Sequence, residues 1–196
     1  MKAKIKAIQR KVGVDADGIV GPKTVAAIMA ALGINEATPV VWPTQKEVRS
    51  GKSIFGAPGE GELVSIEPPY ALFYEGQPVR TIRVHRLVAD AVLAVLREVL
   101  AVYGIERIRA LGLDQYGGSY NYRGTTSGSS LSMHAWGIAI DWCPDKNAYS
   151  TRAPHASLSC EACRPWWEIW EKHGAVSMGR HADYDWMHVQ FARING

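Results

Sequence analysis

The chain has 196 residues, 47% hydrophobic and 21% charged, which allows one substantial core and a small appendage rather than several domains. A formal net charge of +3 without long basic clusters argues against a nucleic-acid binder. No window approaches the roughly 20 apolar residues that a bilayer span requires, so neither nucleic acid nor membrane is an expected partner, and a monomer is expected.

In chain order, Met1-Lys2-Ala3-Lys4-Ile5-Lys6 is basic, but no uninterrupted apolar run follows it. No secretory signal is therefore expected, and synthesis in the cytoplasm is. Ile5, Ile8 and Val12 recur at helical spacing, and Val25, Ile28, Met29 and Leu32 do so again. The loop between them ends at Pro22, suited to a first helical position, and Gly33 is a natural stop for the second helix. Its Asp17-Gly18-x-Val20-Gly21-Pro22-x-Thr24 pattern resembles the small helical peptidoglycan-binding domain, in a shortened form. The expected organisation is a helical segment over residues 1–37, a linker over 38–41 and a larger domain over 42–196.

Residues 37–69 are rich in Pro, Gly and Ser and read as loops. Residues 81–85 read as a strand, and 87–103 as a long helix buried against a sheet and stopped by Gly104. Residues 105–113 then read as a strand leading to the Gly117-Gly118 turn. A further helix is expected over 165–173, where the helical spacing of Trp166, Trp167 and Trp170 favours core packing over a substrate groove. Cys143, Cys160 and Cys163 are odd in number. A second metal site with His155, a Cys160–Cys163 disulfide and free thiols all remain open, with free thiols expected.

The chemistry concentrates in Ser132-Met133-His134-Ala135-Trp136-Gly137-Ile138-Ala139-Ile140-Asp141 and Asp185-Trp186-Met187-His188. Two imidazoles and two carboxylates in short apolar runs are costly to bury without partners. Catalytic zinc takes three protein ligands and leaves a fourth position to water, and His134, Asp141 and His188 supply that number. Residues 137–141 alternate like a half-buried strand with Ala139 and Asp141 on one face, and Gly137 lets His134 fold back beside Asp141. Residues 188–191 alternate likewise, with His188 and Gln190 sharing a face. Asp185 is the candidate general base and Asp183 its rival, a turn near Tyr184 deciding between them. The helical His-Glu-x-x-His zinc motif is absent.

The Ser132-x-His134-x-x-Gly137-x-Ala139-x-Asp141 and Asp185-x-x-His188 patterns resemble the zinc peptidases of the D-alanyl-D-alanine carboxypeptidase and L-alanyl-D-glutamate endopeptidase family, including VanY-like enzymes and phage endolysins. The resemblance runs back through Tyr120-Asn121-Tyr122-Arg123 to about Trp42. It implies an α+β fold, a small antiparallel sheet with flanking helices of the DD-peptidase and hedgehog type. It further implies Zn2+ on His134, Asp141 and His188, with Asp185 as general base. Arg123 is implied as a catalytic and substrate-binding residue that steadies the oxyanion, and Ser132 as a substrate contact. The partner is then bacterial peptidoglycan, reached after phage-mediated release. Asp at the base position favours the endopeptidase over the carboxypeptidase.

Overall fold

The chain divides into two units, Met1–Thr38 and Pro39–Gly196. The computed structural model describes residues 1–32, 41–126, 128 and 130–194. In the first unit, α1 spans Lys2–Lys11 and α2 spans Pro22–Ala31, with a proline opening α2 as expected. The expected stop at Gly33 and linker positions 38–40 lie outside the described residues. Ile8, expected on a packed face, is 47% exposed, whereas Gln9 beside it is buried. The Gln9 amide nitrogen faces Asp17 Oδ1 at 2.7 Å, the Ile19 carbonyl at 2.9 Å and Thr24 Oγ1 at 3.1 Å. Its Oε1 accepts the Gly18 N–H at 2.8 Å. The loop is thus tied to α1 by polar groups that satisfy one another.

The second unit is α+β. Its elements are α3 (Gln45–Arg49), β1 (Leu63–Ile66), β2 (Leu72–Tyr74), β3 (Gln77–Val79), β4 (Ile82–His85), α4 (Ala89–Leu111), β5 (Tyr116–Gly118) and β6 (Ala139–Trp142). There follow α5 (Arg164–Lys172), β7 (Val176–Ser177), α6 (Met178–Ala182) and β8 (His188–Gln190). Two two-stranded ribbons, β1-β4 and β2-β3, accompany a four-stranded sheet of order β5-β6-β8-β7, and every pairing is antiparallel.

Two segment assignments are overturned. Residues 37–69 are not all loop, because they hold α3 and β1. Thr44 and Glu47 form a reciprocal capping box that starts α3, a Thr-x-x-Glu signal visible in the sequence. Residues 105–113 are not a strand. Gly104 interrupts α4 with φ 66° and ψ 162°, and the helix resumes beyond it. Ile108 is buried and Ile105 and Leu111 half-buried, while Glu106, Arg107 and Arg109 are exposed. That spacing is a helix period, not a strand period.

Trp136, Trp142, Trp166, Trp167 and Trp170 are among the largest fully buried side chains. Trp142 of β6 meets Trp166 and Trp170 of α5 at centroid distances of 5.8 and 5.9 Å. The α5 tryptophans are therefore core, and β6 is buried at all its residues rather than half-buried. The three cysteines are free. Cys160 and Cys163 lie with their sulfurs 3.4 Å apart, and burial pushes the Cys163 thiol up to about 12. Among the described residues no helix is long and apolar enough to cross a membrane.

Candidate metal centre

The pairing of β6 with β8 sets Asp141 directly across from His188, so two ligand-type side chains share one sheet face without help from any loop. His134 arrives differently. It lies in a 3-10 turn over Met133–Trp136, begun by Ser132, whose Oγ accepts the His134 N–H at 3.4 Å. Gly137 ends that turn with φ 66°, and a Cβ there would lie 2.4 Å from Leu63 Cδ2. Only glycine fits this left-handed, crowded position. On the opposite flank, a Cβ on Gly117 would lie 3.0 Å from the Cβ of Asp141, so β5 also approaches the site closely because it lacks a side chain there.

The result is a tight, buried cluster. His134 Nε2 is 3.2 Å from Asp141 Oδ2, His188 Nδ1 is 3.1 Å from Asp141 Oδ1, and the two ring nitrogens are 3.1 Å apart. Among the described residues, these three form a group able to hold a metal ion, with ligand atoms within 4.8 Å of one another. Ligand atoms about 2.0–2.1 Å from a tetrahedral zinc are about 3.3 Å from each other, so the spacing suits that ion.

The outer nitrogens sharpen the fit. His134 Nδ1 faces the Ser119 carbonyl at 2.8 Å, an acceptor only, so the proton resides on Nδ1 and Nε2 turns its lone pair inward. His188 Nε2 faces Gln190 Oε1 at 3.1 Å, which leaves Nδ1 as the inward lone pair. Two lone pairs and a carboxylate then converge in a buried space, an arrangement that is repulsive unless a cation enters. Without a metal a proton takes that role. Burial opposes ionisation of Asp141, but its close contacts with His134 and His188 win and hold its carboxyl well below the usual range. Burial also opposes a charge on His188, yet its bond to Asp141 raises it above the ordinary imidazole value.

Asp185 and Asp183 are separated by a turn in which both residues have positive φ, 52° and 48°. Asp183 is exposed, and its Oδ1 accepts from the Ala153 N–H and from Trp186 Nε1, each at 2.8 Å. Asp185 is half-buried, its backbone held by the Tyr149 carbonyl at 3.0 Å, and its Oδ1 is buried without a hydrogen-bond partner. Burial pushes the Asp185 carboxyl up, as does the charge of Asp141, against the opposing pull of His188, His134 and Arg123. Asp185 lines a hollow of about 350 Å³ together with Asp141, His188, Arg123 and Ser132. A second hollow of about 500 Å³ is lined by Tyr74, Tyr120, His134, and again Arg123 and Asp141. The cluster therefore lies where two hollows meet. Arg123 is half-buried with its Nη1 on the Gly124 carbonyl at 3.3 Å, leaving most of its fork of donors available.

Ser119, Gln45, Arg49 and Tyr149 also belong to this surrounding, and sequence reasoning missed them. Ser119 carries no signal, since it acts through its carbonyl. Gln190 did carry one, because it shares a strand face with His188.

A family model described as D-alanyl-D-alanine carboxypeptidase matches residues 125–191, the segment that carries His134, Asp141, Asp185 and His188. The match supports a peptidoglycan-acting metallopeptidase in general terms. Comparison with curated proteins and with solved structures gives no match.

Proposed function

We propose that the second unit is a zinc peptidase that cuts the peptide stem of bacterial peptidoglycan, as an L-alanyl-D-glutamate endopeptidase of the endolysin type. The observation that carries this reading is the convergence of three inward-facing ligand atoms with a buried, unpartnered carboxylate oxygen on Asp185 beside the same hollow. His134 through Nε2, His188 through Nδ1 and Asp141 hold the metal. Zinc held there supplies Lewis acidity, making water a better nucleophile and a carbonyl a better electrophile. Asp185 takes the proton of the attacking water on its free Oδ1 and returns it to the leaving amine. Its raised proton affinity suits both halves of that cycle. Arg123 presents its guanidinium to the charge that develops on the substrate oxygen, and the Ser132 hydroxyl still has a proton to donate.

Hollows on both sides of the cluster favour a chain that continues past the scissile bond in each direction, hence an endopeptidase. The description of the matching family favours the second reading, D-alanyl-D-alanine carboxypeptidase. The first unit, residues 1–37, is assigned a wall-holding role on its sequence resemblance, ahead of a linker at 38–41 and the peptidase domain at 42–196. Mass spectrometry of fragments released from purified peptidoglycan separates the two readings, because the endopeptidase exposes a new N-terminal D-glutamate and the carboxypeptidase frees D-alanine. Asp185→Ala is expected to lower hydrolysis by roughly 10²–10⁴-fold while bound zinc stays near one per chain. Hydrolysis unchanged in that variant rules out Asp185 as the base, and a wild-type protein that binds wall without cutting it is a non-catalytic binder.

A further inference from the structure

The inward lone pair of His188 depends on where its other nitrogen points, and a chain of hydrogen bonds leading away from the cluster determines that. His188 Nε2 and Gln45 Nε2 each lie 3.1 Å from Gln190 Oε1. Gln190 Nε2 donates to the Ala192 carbonyl at 2.6 Å. A carbonyl only accepts, so the Gln190 amide cannot be turned around, and its oxygen must face His188. The Gln45 amide is fixed in the same way from its far side, since Arg49 Nη1, which only donates, gives a hydrogen bond to Gln45 Oε1 at 3.2 Å. Arg49 is itself held by its Nε on the Leu131 carbonyl at 2.9 Å.

Both ends of the relay are thus closed by groups that cannot exchange donor for acceptor. The backbone reinforces it, because the Gln45 N–H donates to the Arg193 carbonyl at 2.8 Å, just beyond β8. Gln190 is buried, and it gives up its oxygen to two donors rather than to solvent.

Resting on the metal reading above, we infer that Gln190, oriented by Gln45 and Arg49, is a positioning residue that holds the proton of His188 on Nε2 and so keeps Nδ1 available as a metal ligand. The relay makes α3, which lies outside the matched segment 125–191, part of the metal centre. Between the Leu131 carbonyl and His188 the relay runs through one permanently charged guanidinium and two neutral amides, none of which changes charge near neutrality. Its effect is geometric, a choice between two neutral tautomers and two ring orientations.

The test uses the full chain and zinc alone as the probe. Gln190→Leu removes the acceptor at similar volume. Zinc affinity, measured by competition with a chelator, is expected to fall roughly 10- to 100-fold, the usual cost of losing such an outer partner. Imidazole nitrogen NMR of the metal-free protein at alkaline pH is expected to show His188 as one tautomer in the wild type and a mixture in Gln190→Leu. Gln45→Met, at the half-buried end of the relay, is expected to weaken zinc by less than about tenfold, and it decides the matter should Gln190→Leu fail to fold. An unchanged tautomer with zinc affinity within about twofold of wild type in these variants overturns the inference. If the wild type binds no zinc, the metal reading falls, and the tautomer comparison still decides the role of Gln190.

Discussion

The two units each carry a specific-looking polar motif, and they differ in what those polar groups are left to do. In the first, Asp17, Gly18 and Thr24 close around the Gln9 amide, so every member has a partner within the unit. In the second, the polar atoms of His134, Asp141 and His188 are held from outside by Ser119 and Gln190 and point inward at one another, and Asp185 Oδ1 has no hydrogen-bond partner. A buried polar group satisfied by its own neighbours is structural, whereas one pre-oriented and left unmatched is waiting for a ligand. A motif in the sequence cannot make that distinction, because it lists donors and acceptors without saying which face which.

Breaking the second arrangement should have the largest effect. Asp141→Ala removes the one anionic ligand and leaves two inward lone pairs, and zinc content by elemental analysis is expected to fall from about one per chain to near zero. Treatment with a strong chelator is expected to abolish peptidoglycan hydrolysis, with recovery on adding zinc back. Activity that survives complete metal removal would separate the cluster from the chemistry.

Asp183 and Asp185 offer the same contrast within one turn. Asp183→Ala strips the partners from the Ala153 N–H and the Trp186 indole, so it is expected to lower stability in chemical denaturation while zinc content and the rate per folded molecule stay near wild type. A collapse of the rate at normal stability would instead make Asp183 the base. The first unit provides the control. Gln9→Leu leaves the buried Gly18 N–H without its partner and is expected to destabilise that unit by about 1–3 kcal/mol in chemical denaturation, with no change in zinc affinity.

Much of the candidate site was legible because strands and turns obey local rules. The alternation around Asp141 and His188 gave their strand faces, and Gly137 gave the reversal that carries His134 back, since period-2 patterns and left-handed glycines are properties of short segments. The burial of the α5 tryptophans followed from the same kind of spacing, whereas the α+β architecture followed from the family resemblance. What stayed hidden was non-local. The segment 105–111 reads as a strand because a glycine at 104 is a helix-stop signal, whereas in the fold the helix resumes beyond it with Ile108 buried. Ser119 reaches the site through its backbone, which no side-chain pattern encodes. Gln45 and Arg49 come from a segment dominated by loop-forming residues, and Gln45 meets β8, with Arg49 behind it, only after folding.

The pH dependence of metal binding gives the finest measure of how unmatched the cluster is. His188 in the metal-free protein is raised above the ordinary imidazole value by its bond to Asp141, against the opposing effect of burial. Zinc must displace that proton, so below the raised value each unit of pH should lower the affinity by about tenfold. Asp141 adds no slope near neutrality, because its carboxyl is already held ionised well below the usual range. The sign is therefore fixed: affinity rises with pH, and goes on rising above about 7.5, where a histidine of ordinary value about 6.5 has lost nearly all of its proton. Chelator competition across pH 5 to 9, in wild type and in Gln9→Leu, should give the same rising curve for both, since the first unit's polar groups have no part in it. A curve that levels off by about 7.5 would mean that Asp141 does not press a proton onto His188 and that the inward face is less strained than its geometry implies.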